Sequence, residues 1–444
     1  MREGFAAIRQ EAEVPVEFPP EVEAEAAAAA RREHEAPQVD LPFVTIDPPG
    51  ARDLDQAMHL ERRGSGHRVR YAIADVGAWV DPGEAVDAEA RVRGVTVYAP
   101  DGRTPLHPPV LSEAAASLLP GQWVPAVLWT LDLDGEGQLE QTAVERVQVR
   151  SRAQHTYEDV PAEVATLLAE IGERRAALQH ARGGVQLDVP EQIVVADGDG
   201  WTVQYRVPLE SEDHNAQISL LTGIAAAQLM LEGGAGILRT QPAPDEKAFE
   251  RLRLQARALG AEWPTDVPYA DFIAGLDTDT PAHAALLREA AGIGKGAAYT
   301  AFDGAPPENG HHFAIGAPYA HATAPLRRLQ DRFVSACCLA FAQGEAVPDW
   351  VRQALPTLPD AMAAADRRAR SVERGVIDLV EAVLLAERVG EEFDGVVIDD
   401  GVVQLSDPAV RAKVSGTPEP GADVRIRLDR ADPAERKVEF SVVA

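Results

Sequence analysis

The sequence predicts a mixed α+β chain that ends in a small five-stranded OB-fold barrel. Three observations carry that reading. Strand-like runs fill residues 43–149, helical periodicity dominates from residue 162 onward, and residues 391–444 alternate apolar and polar with period two between Gly and Asp turns. At 444 residues the chain has room for two or three domains. We divide it into a helical N-terminal extension (1–40), a central catalytic domain (41–390) and the barrel (391–444).

In order, Glu3–Glu13 and Pro20–Glu35 read as helices, the second started by Pro19-Pro20. Phe43–Ile46 reads as a strand, and Pro48-Pro49-Gly50 turns the chain after it. Asp47, Asp53 and Asp55 lie at or just past the strand end. If Asp53-Leu54-Asp55 is extended, both carboxylates share a side while Leu54 enters the core. Carboxylates crowded in this way suit a hard divalent cation, and they equally suit an acidic surface loop. Val69–Val76, Val95–Tyr98, Ala126–Leu133 and Thr142–Val149 are further strands, the last two folded around Asp134-Gly-Glu-Gly. Ala162–Gly183, His214–Gly233, Asp245–Gly260 and Thr280–Lys295 carry helical periodicity. His321–Arg328 is expected to open a helix with Pro325 near its first turn. Asp360–Val389 forms another, with Arg367, Arg370 and Arg374 on one face. Five short strands close the chain, and Phe393 and Phe440 are the only aromatics the barrel has for a binding groove.

Composition narrows the function. A formal charge of −29 opposes broad, non-specific binding to nucleic acid, so a polyanionic substrate requires locally concentrated arginines. The two cysteines, Cys337 and Cys338, are adjacent, which argues against an ordinary disulfide or a thiolate metal site. No apolar run is long enough to span a membrane and no signal peptide is evident, so the expected location is the cytoplasm, with no membrane partner.

Phe43-Val-Thr-Ile-Asp-Pro-Pro-Gly-Ala-Arg-Asp-Leu-Asp-Gln-Ala resembles the T-I-D-x5-D-x-D-D-A signature of the ribonuclease II/ribonuclease R family of 3′→5′ exoribonucleases. Tyr71–Val76, Arg93–Pro100, Leu111-Ser112, Ser117-Leu118 and Thr156-Tyr157 follow in that family's order. His312-Phe313, Tyr319–Arg328 and Ser371–Val376 resemble its later motifs, so the likeness runs from about residue 42 to the C-terminus. The resemblance implies a catalytic domain of the RNB type with a deep RNA channel and an S1-like RNA-binding barrel. It further implies a metal-dependent enzyme that shortens single-stranded RNA from the 3′ end, releasing nucleoside 5′-monophosphates. By the same resemblance, Asp47, Asp53 and Asp55, with Gln56 beside them, hold Mg²⁺ or Mn²⁺ for a two-metal hydrolysis, and Asp55 is most critical for cleavage. Arg327 grips the phosphate near the scissile bond, Glu373 lies near that arginine, Arg328 contacts RNA, and Tyr157 stacks on the 3′ base. No other cofactor is expected, and the family implies a monomer.

Three departures stand out. Gln56 occupies the family's fourth aspartate position, which predicts weaker binding of one metal. Asn215-Ala216-Gln217 replaces paired glutamates. Residues 1–40 are too short to be the family's two cold-shock barrels, which predicts weaker RNA affinity, steep salt dependence and lower processivity. The competing reading is a non-catalytic RNA-binding or regulatory relative disabled by the altered metal shell.

Overall fold

A computed structural model describes residues 1–187, 190–277, 280–399, 401–416 and 418–443. Its centre is a closed barrel of Gln38–Ile46, Gln56–Arg63, Gly66–Ala74, Val124–Leu133 and Leu139–His155. Neighbouring strands are antiparallel except at the closure, where the first and last strands run parallel with Ile46 opposite His155. Strand alternation sorts the side chains. Val69, Tyr71, Ile73, Val127, Trp129 and Leu131 share one apolar cluster, while the intervening Ala72, Ala74, Ala126 and Leu128 belong to another. The second cluster is covered by the helix Pro20–Ala29 through Val22, Ala26 and Ala29, and Leu54 of the aspartate loop is buried in it. That burial contributes roughly 1.5–3 kcal/mol for Leu54 alone and anchors the loop from within.

The helical layer comprises Ala162–Ala181, Glu210–Gly233, Leu329–Ala342 and the 28-residue helix Leu358–Leu385. Close backbone approach is set by Gly223, where an added Cβ would lie 2.2 Å from the Tyr319 ring, and by Gly94 (φ +73), where it would lie 2.4 Å from Ala365. The expected helix opening at His321 is absent. Residues 321–328 stay non-helical, and the helix begins at Leu329. The Asp331 carboxylate accepts the Ala324 N–H at 2.7 Å, and Pro325 disfavours helical backbone at Ala324. The Val95–Tyr98 strand is shorter and shifted, a Val97–Ala99 hairpin with Gly102–Thr104. The hairpin of Glu191–Asp197 and Gly200–Arg206 is unforeseen by the sequence.

The C-terminal strands Glu392–Asp399, Val402–Leu405, Arg411–Ser415, Asp423–Asp432 and Lys437–Val442 close into a second barrel, as the five-strand reading expected. Phe393 and Phe440 meet edge-to-face at 5.8 Å in its core. They are therefore packing residues with no free face for a base. One apolar cluster joins Phe5 and Ile8 of the N-terminal helix Arg2–Glu11, Val372, Val376 and Val380 of the long helix, and Leu428 and Phe440 of the barrel. The N-terminal helix is further tied by the bidentate pair Arg9–Asp101 and by Glu11–Arg436. Among the described residues no helix is long and apolar enough to cross a membrane.

Candidate active site at the aspartate loop

The loop between the first two barrel strands is pinned at both ends. The Asp47 N–H donates to the His155 carbonyl at 3.0 Å. Ser117 Oγ accepts the Leu54 N–H at 2.9 Å and donates to the Arg52 carbonyl at 2.6 Å, so one hydroxyl sets the loop's exit. Asp55 is 3% exposed and meets the non-helical 321–328 segment there. Its Oδ1 accepts the Leu326 N–H at 2.7 Å, and Arg327 Nε lies 3.2 Å from its Oδ2. Burial pushes the Asp55 carboxyl up to about 7, against the pull of Arg327 and the Leu326 N–H. Asp47 is pushed up to about 6, again by burial, with Arg327 opposing and Asp53 adding to the shift. Asp47 Oδ2 is buried without a hydrogen-bond partner.

Asp53 turns elsewhere. Arg103 Nη1 is 3.0 Å from its Oδ1, and the Tyr98 hydroxyl donates to its Oδ2 at 3.1 Å. Among the described residues no three acidic, histidine or cysteine side chains gather as a ready metal cage. The donors nevertheless suit one small hard cation, since Mg²⁺ commonly takes one or two carboxylates and completes its shell with water and substrate phosphate. The orphaned Asp47 oxygen is such a donor. Gln56 is not free to be one: its amide N–H donates to the Thr323 carbonyl and its Oε1 accepts the Tyr71 hydroxyl at 3.0 Å. The glutamine braces the 321–328 segment against the barrel.

The remaining expected residues divide. Arg327 keeps almost half its side chain exposed, while its carbonyl accepts the Thr96 N–H at 3.0 Å. Tyr157 is half-buried and feels the charges of Asp47 and Arg327, and its hydroxyl faces Asn215 Nδ2 at 3.5 Å. Arg328 pairs with Asp331 at 2.8 Å, which makes it an organiser of the turn. Glu373 is exposed on the long helix and forms no ion pair with Arg327. A second acidic residue of this helix, Asp366, takes part in a network that reaches His321. It lies 3.5 Å from Arg239, whose guanidinium sits 4.5 Å over the Tyr299 ring, and Tyr299 bonds His321 Nδ1 at 2.7 Å. Two helical turns separate the two acids, so the motif match alone could not choose between them.

His107 was also missed. Its Nδ1 lies 3.4 Å from the Leu326 carbonyl, so the Leu326 backbone meets Asp55 through its N–H and an imidazole through its C=O. Burial lowers that imidazole to about 4 and keeps it neutral. Tyr98, 51% exposed beside Asp53, is a further neighbour that strand alternation does not single out.

An RNB domain model matches residues 38–341, and a model of the RNase II-type exonuclease C-terminal S1 domain matches residues 391–443. Ribonuclease R of Escherichia coli (strain K12) is 26% identical over 469 aligned positions, covering 91% of this chain and 57% of that protein. Ribonuclease R of Vibrio parahaemolyticus is 26% identical over 431, covering 87% and 50%. The chain thus spans little more than half the length of these curated relatives. Among solved structures, Mycoplasma genitalium RNase R in complex with ribose methylated single-stranded RNA superposes with a TM-score of 0.88 at 17% identity, covering 99% of this chain and 77% of that one. Yeast Ssd1, described as a pseudonuclease, superposes at 0.70 with 16% identity, covering 92% and 53%. The fold is therefore shared by a nuclease and a pseudonuclease, and the site residues have to carry the functional argument.

Proposed function

The chain belongs to the RNB family of ribonuclease II/ribonuclease R proteins, and from that premise we propose that it is a metal-dependent 3′→5′ exoribonuclease acting on single-stranded RNA in the cytoplasm. The observation that carries the proposal is the meeting of Asp55 with Leu326 and Arg327, which puts a buried carboxylate and a half-exposed guanidinium 3.2 Å apart beside the unpaired Asp47 oxygen. A structural ion pair alone would not need an orphaned second carboxylate at its edge.

In this reading Asp47 and Asp55, with Asp53 beside them, hold Mg²⁺, Mn²⁺ being the alternative. When bound, the cation supplies Lewis acidity at the phosphoryl group and lets the buried carboxylates ionise. Arg327 offers its exposed fork to phosphate oxygens and fixes the scissile group's orientation. Tyr157 presents a ring beside Asp47 on which a terminal base can stack without regard to sequence. The 321–328 turn, braced by Gln56, Asp331 and His107, keeps Arg327 in place before substrate arrives, so little reorganisation is needed during the reaction.

The test uses 5′-labelled single-stranded RNA with purified protein and Mg²⁺ or Mn²⁺. A ladder of 3′-shortened products that is abolished by Asp55→Asn supports the proposal. Binding without shortening overturns it in favour of an RNA-binding relative.

A further inference from the structure

We propose that the cleft between the outer face of the helix Leu358–Leu385 and the turn after Asp432 in the C-terminal barrel is a second RNA-binding site, one that grips backbone phosphates away from the catalytic aspartates. The inference rests on RNA being the substrate.

The cleft holds about 470 Å³. Arg367, Arg370 and Arg374 line it from the helix and Arg436 from the barrel, against the carboxylates Asp378 and Glu435. Both signs are partly compensated: Arg436 pairs with Glu11, and Asp378 feels the charges of Arg374 and Arg436. Glu435 is already paired with Arg430 at 2.7 Å and Lys437 at 3.0 Å. Among the described residues, Arg367, Arg370 and Arg374 form no ion pair, although the chain has 71 acidic residues to supply one. Many arginines elsewhere find carboxylates, among them Arg68 with Asp132, Arg146 with Asp75 and Arg103 with both Asp53 and Glu113. Arg374 feels the charge of Asp378 one turn along the helix, yet three exposed guanidinium groups on one helix face concentrate positive charge locally in a chain of charge −29, and planar forks of this kind match phosphate oxygens.

Shape selects a polyanion over a single ion. From Arg367 to Arg374 the helix climbs about two turns, roughly 10 Å, so the row faces several successive phosphates. Its first member follows Asp366, which pairs with Arg239 at the edge of the catalytic surroundings, and its last lies toward the barrel. Arg436 completes the cleft from a left-handed backbone (φ 54), a conformation that favours glycine and that only one other non-glycine residue, Glu13, adopts among the described residues. The row therefore leads from the site's edge to the barrel, the direction an RNA strand takes if its 3′ end lies at Asp55.

The experiment compares the full chain with Arg370→Ala/Arg374→Ala and with Arg370→Lys/Arg374→Lys, measuring the affinity for a fluorescent twenty-nucleotide RNA against salt. The alanine pair should weaken binding about ten-fold at 0.15 M salt and reduce the slope of log K against log salt by about 1.4, the value for two lost phosphate contacts. The lysine pair should keep most of the slope, and thermal melting should be unchanged in both. Wild-type binding with an alanine-pair slope identical to wild type overturns the cleft while leaving the proposed activity intact; absence of any RNA binding by wild type overturns both. If the alanine pair instead loses affinity for a polyglutamate peptide and keeps its RNA affinity, the cleft serves an acidic protein and the proposal fails.

Discussion

Arg327 Nε lies 3.2 Å from Asp55 Oδ2, although the two residues come from opposite ends of the catalytic domain. Asp55 leaves the first barrel strand's loop and Arg327 sits in a turn before a helix, so their contact is made by tertiary packing alone. Breaking it from either side has different consequences. Asp55→Asn should abolish RNA shortening while preserving the Leu326 contact. Arg327→Ala should lower kcat by about 10²–10³ by removing charge stabilisation at phosphorus. Single-turnover assays on a short RNA distinguish the two, and an Arg327→Ala enzyme of wild-type rate would remove that residue from the mechanism.

Gln56 is expected to matter for stability first. Gln56→Asp shortens the side chain and withdraws partners from the Tyr71 hydroxyl and the Thr323 carbonyl, at about 1–3 kcal/mol. Calorimetry should show the lower melting temperature. A Mg²⁺ titration of activity should shift to lower concentration if the added charge reaches the metal; coincident curves would leave bracing as the residue's sole role.

Asp366 and Glu373 give a clean contrast on one helix. Asp366→Asn should weaken the Arg239–Tyr299–His321 network and reduce activity about ten-fold, the effect of a misplaced positioning residue. Glu373→Gln, on the exposed face, should stay within two-fold. The reverse ranking in steady-state assays would restore the motif-based assignment.

His107 predicts acid sensitivity of the fold. Its imidazole titrates at about 4 when folded and near 6.5 when unfolded. Between those values the unfolded chain binds more protons, so this group's contribution is full above pH 6.5 and is lost as pH falls toward 4, by roughly 3 kcal/mol. Denaturant melts of His107→Asn across that range should show a flatter profile than wild type.

Glu381 works in the opposite direction. Burial raises it to about 7, although it accepts hydrogen bonds from the Arg411 N–H and Gln192, while Asp378 raises it further. Between about 4.5 and 7 the folded chain binds more protons, so stability falls as pH rises through that window. Glu381→Gln retains an acceptor and removes the charge. It should therefore raise the melting temperature at pH 8 and change little at pH 4.5.

The local chemistry of this chain was legible in its sequence, and the long-range pairings were not. Alternation in Val69–Ala74 and in the C-terminal strands announced strands because each face meets a different environment. The parallel closure of Gln38–Ile46 on Leu139–His155 has no turn to announce it. The motif singles out Asp47, Asp53, Asp55 and Arg327, whereas Leu326, Tyr98 and Arg103, which contact them, and His107, which contacts Leu326, carry no signal until the chain folds. The turn at 321–328 was likewise hidden, because it depends on Asp331 reaching back to the Ala324 N–H and pairing with Arg328.

The apolar cluster that runs from Phe5 through Val376 to Phe440 has a thermodynamic corollary. The cluster is continuous across barrel, long helix and N-terminal helix, so they should melt as one cooperative unit in a single calorimetric transition. Any ligand that prefers the folded barrel then stabilises the long helix by mass action, whether or not it touches that helix. Protection of the Val372–Val380 amides from hydrogen exchange becomes a remote reporter of occupancy at the barrel.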